Sequence, residues 1–245
     1  MARKKSHQHG TPRHPRLWGR HAVAAALDNP QRSVVKAWAT REAAESLQFP
    51  KDLPVTLSDV ADLGRLIPND APHQGVVVEV EPLEEVWLDE IVADAADHAV
   101  LLVLDQVTDP HNVGAILRSA AAFGAVGIVT QDRHSPPESG ALAKAASGAL
   151  ERVKWVRTVN LARALEDIAE AGFWRIGLTG DAGMDLKEAL GPKRIALVLG
   201  AEGPGLRPNT RDHCDALARL PISDAVESLN VSNAAAVALY AAVTR

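Results

Sequence analysis

Three polar segments of this chain each follow directly after an apolar, strand-like run. VLLVLD leads into Asp105–Gly124, RIALVLG leads into the polar part of Leu197–Leu206, and ALARLPI leads into Leu220–Tyr240. Open α/β sheets collect their ligand-binding groups just beyond the carboxyl ends of parallel strands. Segments far apart in the sequence can therefore meet at one edge of such a sheet. The pattern predicts a single composite pocket built from all three segments.

Strand-like and helix-like segments alternate from residue 99 to the C-terminus. Alternation at this spacing is typical of a mostly parallel, Rossmann-like sheet with helices on both faces, and it indicates the α/β class. The predicted strands are VLLVLD, GIVT, KWVRT, WRIGLT, RIALVLG and ARLPI. The predicted helices begin at Asn112 and Asn160 and run over residues 139–147 and 231–243.

The first 98 residues divide into three shorter parts. Residues 1–16 are rich in Gly, Pro, His and basic side chains, which predicts a disordered basic tail. Residues 17–82 predict a small α/β unit, with helices over GRHAVAAALDN and REAAESL, strands over VVKAWAT and QGVVVEVEP, and a strand followed by a helix in VTLSDVADLGRL. Residues 83–98 are acidic and amphipathic and predict a linker helix. Residues 99–245 form the larger domain.

Composition limits the class of protein. Of the 245 residues, 47% are hydrophobic but only 4% are aromatic, so the core must consist mainly of Ala, Val, Leu and Ile. No apolar run approaches the ~20 residues of a membrane span, and the N-terminus lacks the apolar stretch of a secretory signal. The single Cys214 cannot form an intrachain disulfide. These features predict a cytoplasmic globular protein with no membrane partner.

Charge has to be considered locally. The net charge of −5 argues against an anionic partner for the chain as a whole. The first 20 residues nevertheless carry six basic side chains and no Asp or Glu, and nucleic-acid binding depends on local basic surface. This segment either contacts RNA phosphates or is a solvated tail or expression remnant, and both interpretations stay open. The six residues are Arg3, Lys4, Lys5, Arg13, Arg16 and Arg20.

The three polar segments also resemble the motifs of a known family. Asn112 and Arg118 are separated by five residues, Glu202 lies in G-A-E-G, and Asn230 lies in S-L-N-V-S-N. In this order they resemble the signature motifs of the SpoU (TrmH-type) RNA ribose 2′-O-methyltransferases, especially the RlmB-like branch that methylates a guanosine of 23S ribosomal RNA. The resemblance covers the chain from about Leu17 onward. It implies a SPOUT-type catalytic domain with a trefoil knot, a small N-terminal RNA-binding domain, S-adenosylmethionine as the cofactor, and a homodimer.

The resemblance further implies where the cofactor lies. Glu202 and Asn230 would shape the floor of its pocket. The glycine-rich GAEGPG lacks both the spacing of a dinucleotide fingerprint and the Lys of a P-loop, but its glycines allow the backbone to approach a ligand closely. Asn230 also fits a helix N-cap in front of VSNAAAVALY. The backbone implied to hold the cofactor is that around Gly200, Leu220, Ile222, Ser228 and Leu229.

Arg118 is the residue that the resemblance places at the centre of catalysis. A guanidinium is not deprotonated in proteins, so a role as the base is chemically awkward. Gripping a phosphate and stabilising a developing alkoxide suits it better. Asn112 would position Arg118 and is also expected to be the N-cap of the helix that carries both, where their offset spans less than two turns. The acceptor of the hydroxyl proton stays open.

Two rival functions remain. One keeps the chemistry but acts on tRNA or on another ribosomal nucleotide. The other is a non-catalytic RNA-binding or ribosome-assembly protein of the same fold, against which the intact Arg118, Glu202 and Asn230 count. No metal is expected, because the nine His residues show no metal-ligand spacing, and Cys214, without a CxxC partner, is interpreted as a small buried thiol.

Overall fold

The computed structural model describes residues 14–191, 193–223 and 225–245. Residues 16–80 form a four-stranded sheet with three short helices. The strands lie in the order β1-β4-β2-β3, in which β4 runs antiparallel to both of its neighbours and β3 runs parallel to β2. In chain order the elements are β1 (Arg16–Trp18), α1 (Arg20–Asp28), β2 (Val34–Ala39), α2 (Arg41–Ser46), β3 (Val55–Leu57), α3 (Val60–Gly64) and β4 (Val76–Val80).

Local sequence accounts for where α2 and α3 begin. Thr40 accepts a hydrogen bond from the Ala43 amide at the start of α2, and Asp59 does the same for Asp62 at the start of α3. The prediction of an α/β unit here is confirmed, with the additional strand β1 in front of the first helix. Of the predicted tail, residues 1–13 lie outside the described residues, whereas Arg16 already belongs to β1.

The linker is less helical than its amphipathic pattern predicts. The predicted helix over residues 83–98 is confined to α4 (Leu88–Ala93). Before it, the Leu83 amide donates to Glu138 and Val86 forms an isolated parallel bridge with Val156. These tertiary contacts keep residues 83–87 extended along the edge of the second sheet, which overrides the helical periodicity.

Residues 99–245 contain a six-stranded sheet whose strands are all parallel, as the alternating pattern predicts. The strand order is β10-β8-β9-β5-β6-β7. Its elements are β5 (Ala99–Asp105), α5 (Pro110–Ala122), β6 (Gly127–Gln131), α6 (Gly140–Ala146), β7 (Trp155–Thr158), α7 (Leu161–Glu170), β8 (Trp174–Leu178), α8 (Leu186–Ala189), β9 (Arg194–Gly200), α9 (Pro208–Asp212), β10 (Ala216–Ala218) and α10 (Val231–Val243).

Helices cover both faces of this sheet. Along the buried strand β5, Leu102 and Leu104 belong to the core shared with α5, α6 and α10, whereas Leu101 and Val103 belong to the core shared with α7. None of the helices in the described residues has the length and apolar character to span a membrane. The structure differs from the sequence prediction in adding α8 and α9 and in placing the last strand over Ala216–Ala218 instead of 218–222. The trefoil knot implied by the resemblance stays a prediction.

One hydrophobic core crosses the boundary between the two units. Leu17 and Val23 of the N-terminal unit belong to the same buried cluster as Ile116 and Leu142 of the larger one. Trp18 lies so close to Gly140, at the start of α6, that any Cβ atom there would collide with its ring. The two units therefore pack as one body.

Candidate functional site

The structure brings the three polar segments together through a side-chain hydrogen-bond network. The Asn112 Nδ2 donates to the Glu202 Oε1 over 3.2 Å. The Asn230 Nδ2 donates both to the Asn112 Oδ1, at 3.0 Å, and to the Glu202 Oε1, at 2.5 Å. One residue from each segment thus meets the other two directly. The three segments thus meet at the carboxyl edge of the parallel sheet, as the sequence predicts, while the ligand pocket itself stays a prediction.

Asn112 reaches this network from the first turn of α5. The helix N-cap is Asp109, whose carboxylate accepts from the His111 amide at 2.9 Å, and Pro110 follows at the first helical position. The expected N-cap role of Asn112 is therefore wrong, because Asp109–Pro110 already starts the helix three residues earlier. The buried Asn112 side chain is left for the contact with Glu202 and Asn230.

Asn230 is the N-cap of α10, as the sequence suggests, and it also joins the network; its role in a cofactor pocket stays a prediction. Its Oδ1 accepts from the Ser232 amide at 2.9 Å and caps α10, while its Nδ2 joins the network. A single amide side chain thus fixes both the start of α10 and the approach of this helix to Asn112 and Glu202.

Glu202 lies on a tight loop between β9 and α9. Gly203 and Gly205 adopt φ angles of +82° and +69°, which side chains rarely tolerate. The loop folds back so closely that a Cβ atom at Gly200 would collide with the backbone of Gly205. The glycine at position 200 is thus required by the loop itself, whether or not a ligand approaches it.

Arg118 stands apart from the network. It lies on the exposed face of α5, and within the described part of the chain no hydrogen bond or ion pair engages its guanidinium. Of the four residues predicted to be catalytic, the structure joins Asn112, Glu202 and Asn230 and leaves Arg118 open toward solvent. A free guanidinium on this face is available to a phosphate or a developing negative charge.

The segment between β10 and α10 carries most of the residues implied to hold the cofactor. Leu220 and Leu229 are half-buried, whereas Ile222 and Ser228 are exposed. The described residues of 220–229 lie outside regular helices and strands. Main-chain groups that no helix or strand engages, beside half-buried leucines, suit a ligand with both polar and apolar surfaces, such as a nucleoside cofactor. Gly200 ends strand β9, which β8 separates from β10 in the sheet.

An arginine that the sequence prediction missed ties this loop region to the sheet. Arg207 donates from Nε to the Asp105 Oδ1 at 2.7 Å, from its amide to the Asp105 Oδ2 at 3.0 Å, and from Nη2 to the Gln131 Oε1 at 2.9 Å. Asp105 is fully buried at the end of β5. The signal available in the sequence is this Asp at the end of a strand of apolar residues, because a buried carboxylate requires a partner.

Cys214, predicted to be a small buried thiol, is half-buried in the structure. Its Sγ donates to the Thr210 carbonyl at 3.3 Å. Burial raises the pKa of the thiol to about 12. Within the described residues, no group of three or more His, Cys, Asp or Glu side chains is arranged to hold a metal ion.

Two family models match this chain, one over each unit. A model of the SpoU rRNA Methylase family matches residues 99–240. A model described as RNA 2′-O ribose methyltransferase substrate binding matches residues 16–86. The first model thus covers the six-stranded parallel sheet, and the second covers the four-stranded sheet.

Individual relatives and a solved structure extend this likeness. The chain is 38% identical to the 23S rRNA (guanosine-2′-O-)-methyltransferase RlmB of Vibrio vulnificus, over 93% of this chain and 95% of the relative. It is 40% identical to the protein of the same name from Ralstonia nicotianae, over 93% and 94%. The SpoU methyltransferase AviRb of Streptomyces viridochromogenes, solved in complex with AdoMet, matches with a TM-score of 0.76 over 95% of this chain and 90% of that one, and at 23% identity this likeness concerns the fold.

Proposed function

Because the chain belongs to the SpoU rRNA methylase family, we propose that it transfers a methyl group from S-adenosylmethionine to the ribose 2′-hydroxyl of a guanosine in 23S ribosomal RNA. The observation that carries this proposal is the network of Asn112, Glu202 and Asn230, which joins the three motifs at one sheet edge. The relatives that match over more than nine tenths of their length are named for this reaction.

The chain's own residues can supply orientation and charge stabilisation. S-adenosylmethionine, when bound, supplies an electrophilic methyl group on a sulfonium. The main-chain groups around Leu220 and Leu229 would hold it, and the network beside them would keep that segment in place. Arg118 would grip a phosphate next to the target ribose and stabilise the oxygen as its proton leaves. Asn112 holds the first turn of the same helix in place, so its effect on Arg118 would be one of positioning.

The division of labour along the chain is also part of the proposal. Residues 17–82 would bind the RNA substrate, residues 83–98 would connect the units, and residues 99–245 would carry the cofactor and the chemistry. Two matches support this division, the substrate-binding model over residues 16–86 and the methylase model over residues 99–240. Ribosomal RNA as the substrate implies a cytoplasmic location, and the site calls for no metal.

We further propose that the protein acts as a homodimer through α10. Val237, Tyr240 and Val243 are 48%, 59% and 43% exposed, and their spacing places them along one side of the helix. The helix sequence contains no charged residue. Its opposite side, with Ala235, Ala238 and Leu239, is buried in the core. An uncharged helix with apolar side chains on its open side is typical of an interface between subunits.

Mapping 2′-O-methyl groups in ribosomal RNA from cells with and without the protein tests the proposed function. The expected result is the loss of one modified guanosine in 23S RNA and its return with the wild-type gene. Loss of a tRNA modification instead would favour the first rival function. An unchanged map, together with no calorimetric binding of S-adenosylmethionine to the purified protein, would favour the non-catalytic rival.

A further inference from the structure

A buried arginine sits where the N-terminal unit, the linker and the catalytic unit meet. Arg32 lies between α1 and β2, and its side chain is 0% exposed. Its Nε and Nη2 donate to the Glu151 carboxylate over 2.8 to 3.2 Å. Its Nη1 donates to the Glu81 carbonyl at 2.8 Å and to the Glu138 carboxylate. All three guanidinium nitrogens are thus engaged, and the two carboxylates belong to the other unit.

The two carboxylates are buried nearly as deeply as the arginine. The side chain of Glu151 is 3% exposed and that of Glu138 is 10% exposed. Asn29 adds a hydrogen bond to Glu151 at 2.9 Å, and the Leu83 amide donates to Glu138 at 3.2 Å. Burial raises the pKa of Glu138, and the charge of Arg32 opposes that rise. The cluster holds its geometry only while the cation is present, because two buried carboxylates without it would repel each other.

This cluster connects directly to the helix that carries Arg118. Glu138 precedes Ser139, the N-cap of α6. Helix α6 in turn lies against α5 at backbone distance, since a Cβ atom on Gly114 would come within 2.5 Å of the Leu142 carbonyl oxygen. The N-terminal unit is therefore linked through the Arg32 cluster and α6 to α5, the helix of Asn112 and Arg118.

We propose that Arg32 is a positioning residue for methyl transfer. It fixes the N-terminal unit in one orientation on the catalytic unit, so that RNA bound by the first is presented to Arg118 on the second. Exposed ion pairs contribute little, and a buried pair is retained in some proteins because it specifies one arrangement rather than because it adds stability. The inference rests on the proposed function, since it concerns the delivery of RNA to that same site.

The test compares three full-length proteins: wild type, Arg32→Met and Arg32→Lys. The control is Arg163→Met, which removes an arginine from the exposed ion pairs of α7 with Glu166 and Asp167. Spin labels on cysteines introduced at Lys51 and Glu188, one in each unit, report the distance between the units by pulsed electron resonance. Calorimetry gives the affinity for S-adenosylmethionine, and single-turnover transfer to saturating 23S RNA fragments gives the rate.

Arg32→Met should broaden the distance distribution and slow single-turnover transfer by more than tenfold, with cofactor affinity changed less than twofold. Arg32→Lys keeps the positive charge but loses the several guanidinium donors, so it should give an intermediate rate. This variant still tests the proposal if Arg32→Met does not fold. The control should match wild type throughout. A wild-type rate in both variants, with or without broadened distances, would overturn the proposal. Failure of the proposed function is distinct, because wild type itself would then neither bind the cofactor nor transfer methyl groups.

Discussion

At the scale of single residues, the site consists of three side chains that are hydrogen-bonded to one another and one arginine that lies outside this network. Asn112, Glu202 and Asn230 satisfy each other's hydrogen bonds. Arg118 has no such partner among the described residues, and an exposed cation of this kind contributes little to folding. Substitution can therefore separate its chemical role from a structural one.

Arg118→Ala should reduce methyl transfer by about 10²- to 10³-fold, the typical cost of removing one stabilising donor from a transition state. Cofactor affinity and the melting temperature should stay near those of wild type, because Arg118 faces solvent. Single-turnover rates on saturating RNA, with Arg163→Ala as the control, measure the effect. Near wild-type turnover in Arg118→Ala would show that the assignment is wrong.

Cys214 should be almost unreactive in the folded protein. At pH 8, a thiol with a pKa of about 12 instead of 9.0 has a thiolate fraction lower by about three orders of magnitude. Ionisation costs the folded state more than the unfolded one, so stability should also fall as pH rises from 9.0 toward about 12. Alkylation by iodoacetamide, followed by mass spectrometry with and without urea, checks this. Rapid labelling of the folded chain would contradict it.

At the scale of elements, the two motif helices begin in different ways. Asp109 and Pro110 start α5, whereas Asn230 itself starts α10 and also links it to the site. In the second case, helix stability and site geometry depend on different atoms of one side chain. A serine keeps the capping oxygen but lacks the amide donor.

Asn230→Ser should therefore lower methyl transfer while leaving the free energy of unfolding within about 0.5 kcal/mol of wild type. Asn230→Ala should lose transfer as well and, in addition, about 1 kcal/mol of stability through the missing cap. Urea denaturation and single-turnover assays on both variants provide the comparison. Equal destabilisation by Ser and Ala would mean that the network, and not the cap, stabilises α10.

Sequence predicted elements best where the local pattern and the tertiary environment agree. The apolar run VLLVLD becomes the buried strand β5, because a parallel strand that is covered on both faces typically consists of a continuous run of apolar residues. The linker is different, because Leu83 and Val86 are drawn into contacts with Glu138 and Val156 that no local period encodes. The Arg32 cluster could not be predicted from local sequence either, because the two carboxylates that bind Arg32 lie 106 and 119 residues away in the chain.

At the scale of the whole molecule, an acidic chain has to hold an anionic substrate. The sequence carries a net charge of −5, yet residues 1–13 contain four basic side chains and no acidic one. Phosphate contacts release counterions, so their number appears in the dependence of affinity on salt. Deletion beyond residue 13 would cut into β1 and the shared core, which limits a clean test to these residues.

Removal of residues 1–13 should weaken RNA binding and make it less dependent on salt. If all four cations contact a single strand, the slope of log affinity against log salt should fall in magnitude by about 3. The matched control is the full-length chain with the four positions changed to Gln, which should behave like the deletion. Identical slopes for all three proteins would make the tail a passive appendage and place RNA recognition on the folded body.

The single core that crosses from the N-terminal sheet into α5 and α6 has a consequence for how such an enzyme can change its target. Two family models divide the sequence between residues 86 and 99, which suggests parts that could be exchanged between relatives. Here, an exchanged N-terminal unit would have to bring a cationic partner for Glu138 and Glu151, an aromatic ring to pack against Gly140 and apolar side chains to fill the shared core. New RNA specificity would thus arise more easily by substitutions on the existing surface than by recombination. A chimera whose N-terminal unit does not match the contact surface of the catalytic unit should express poorly.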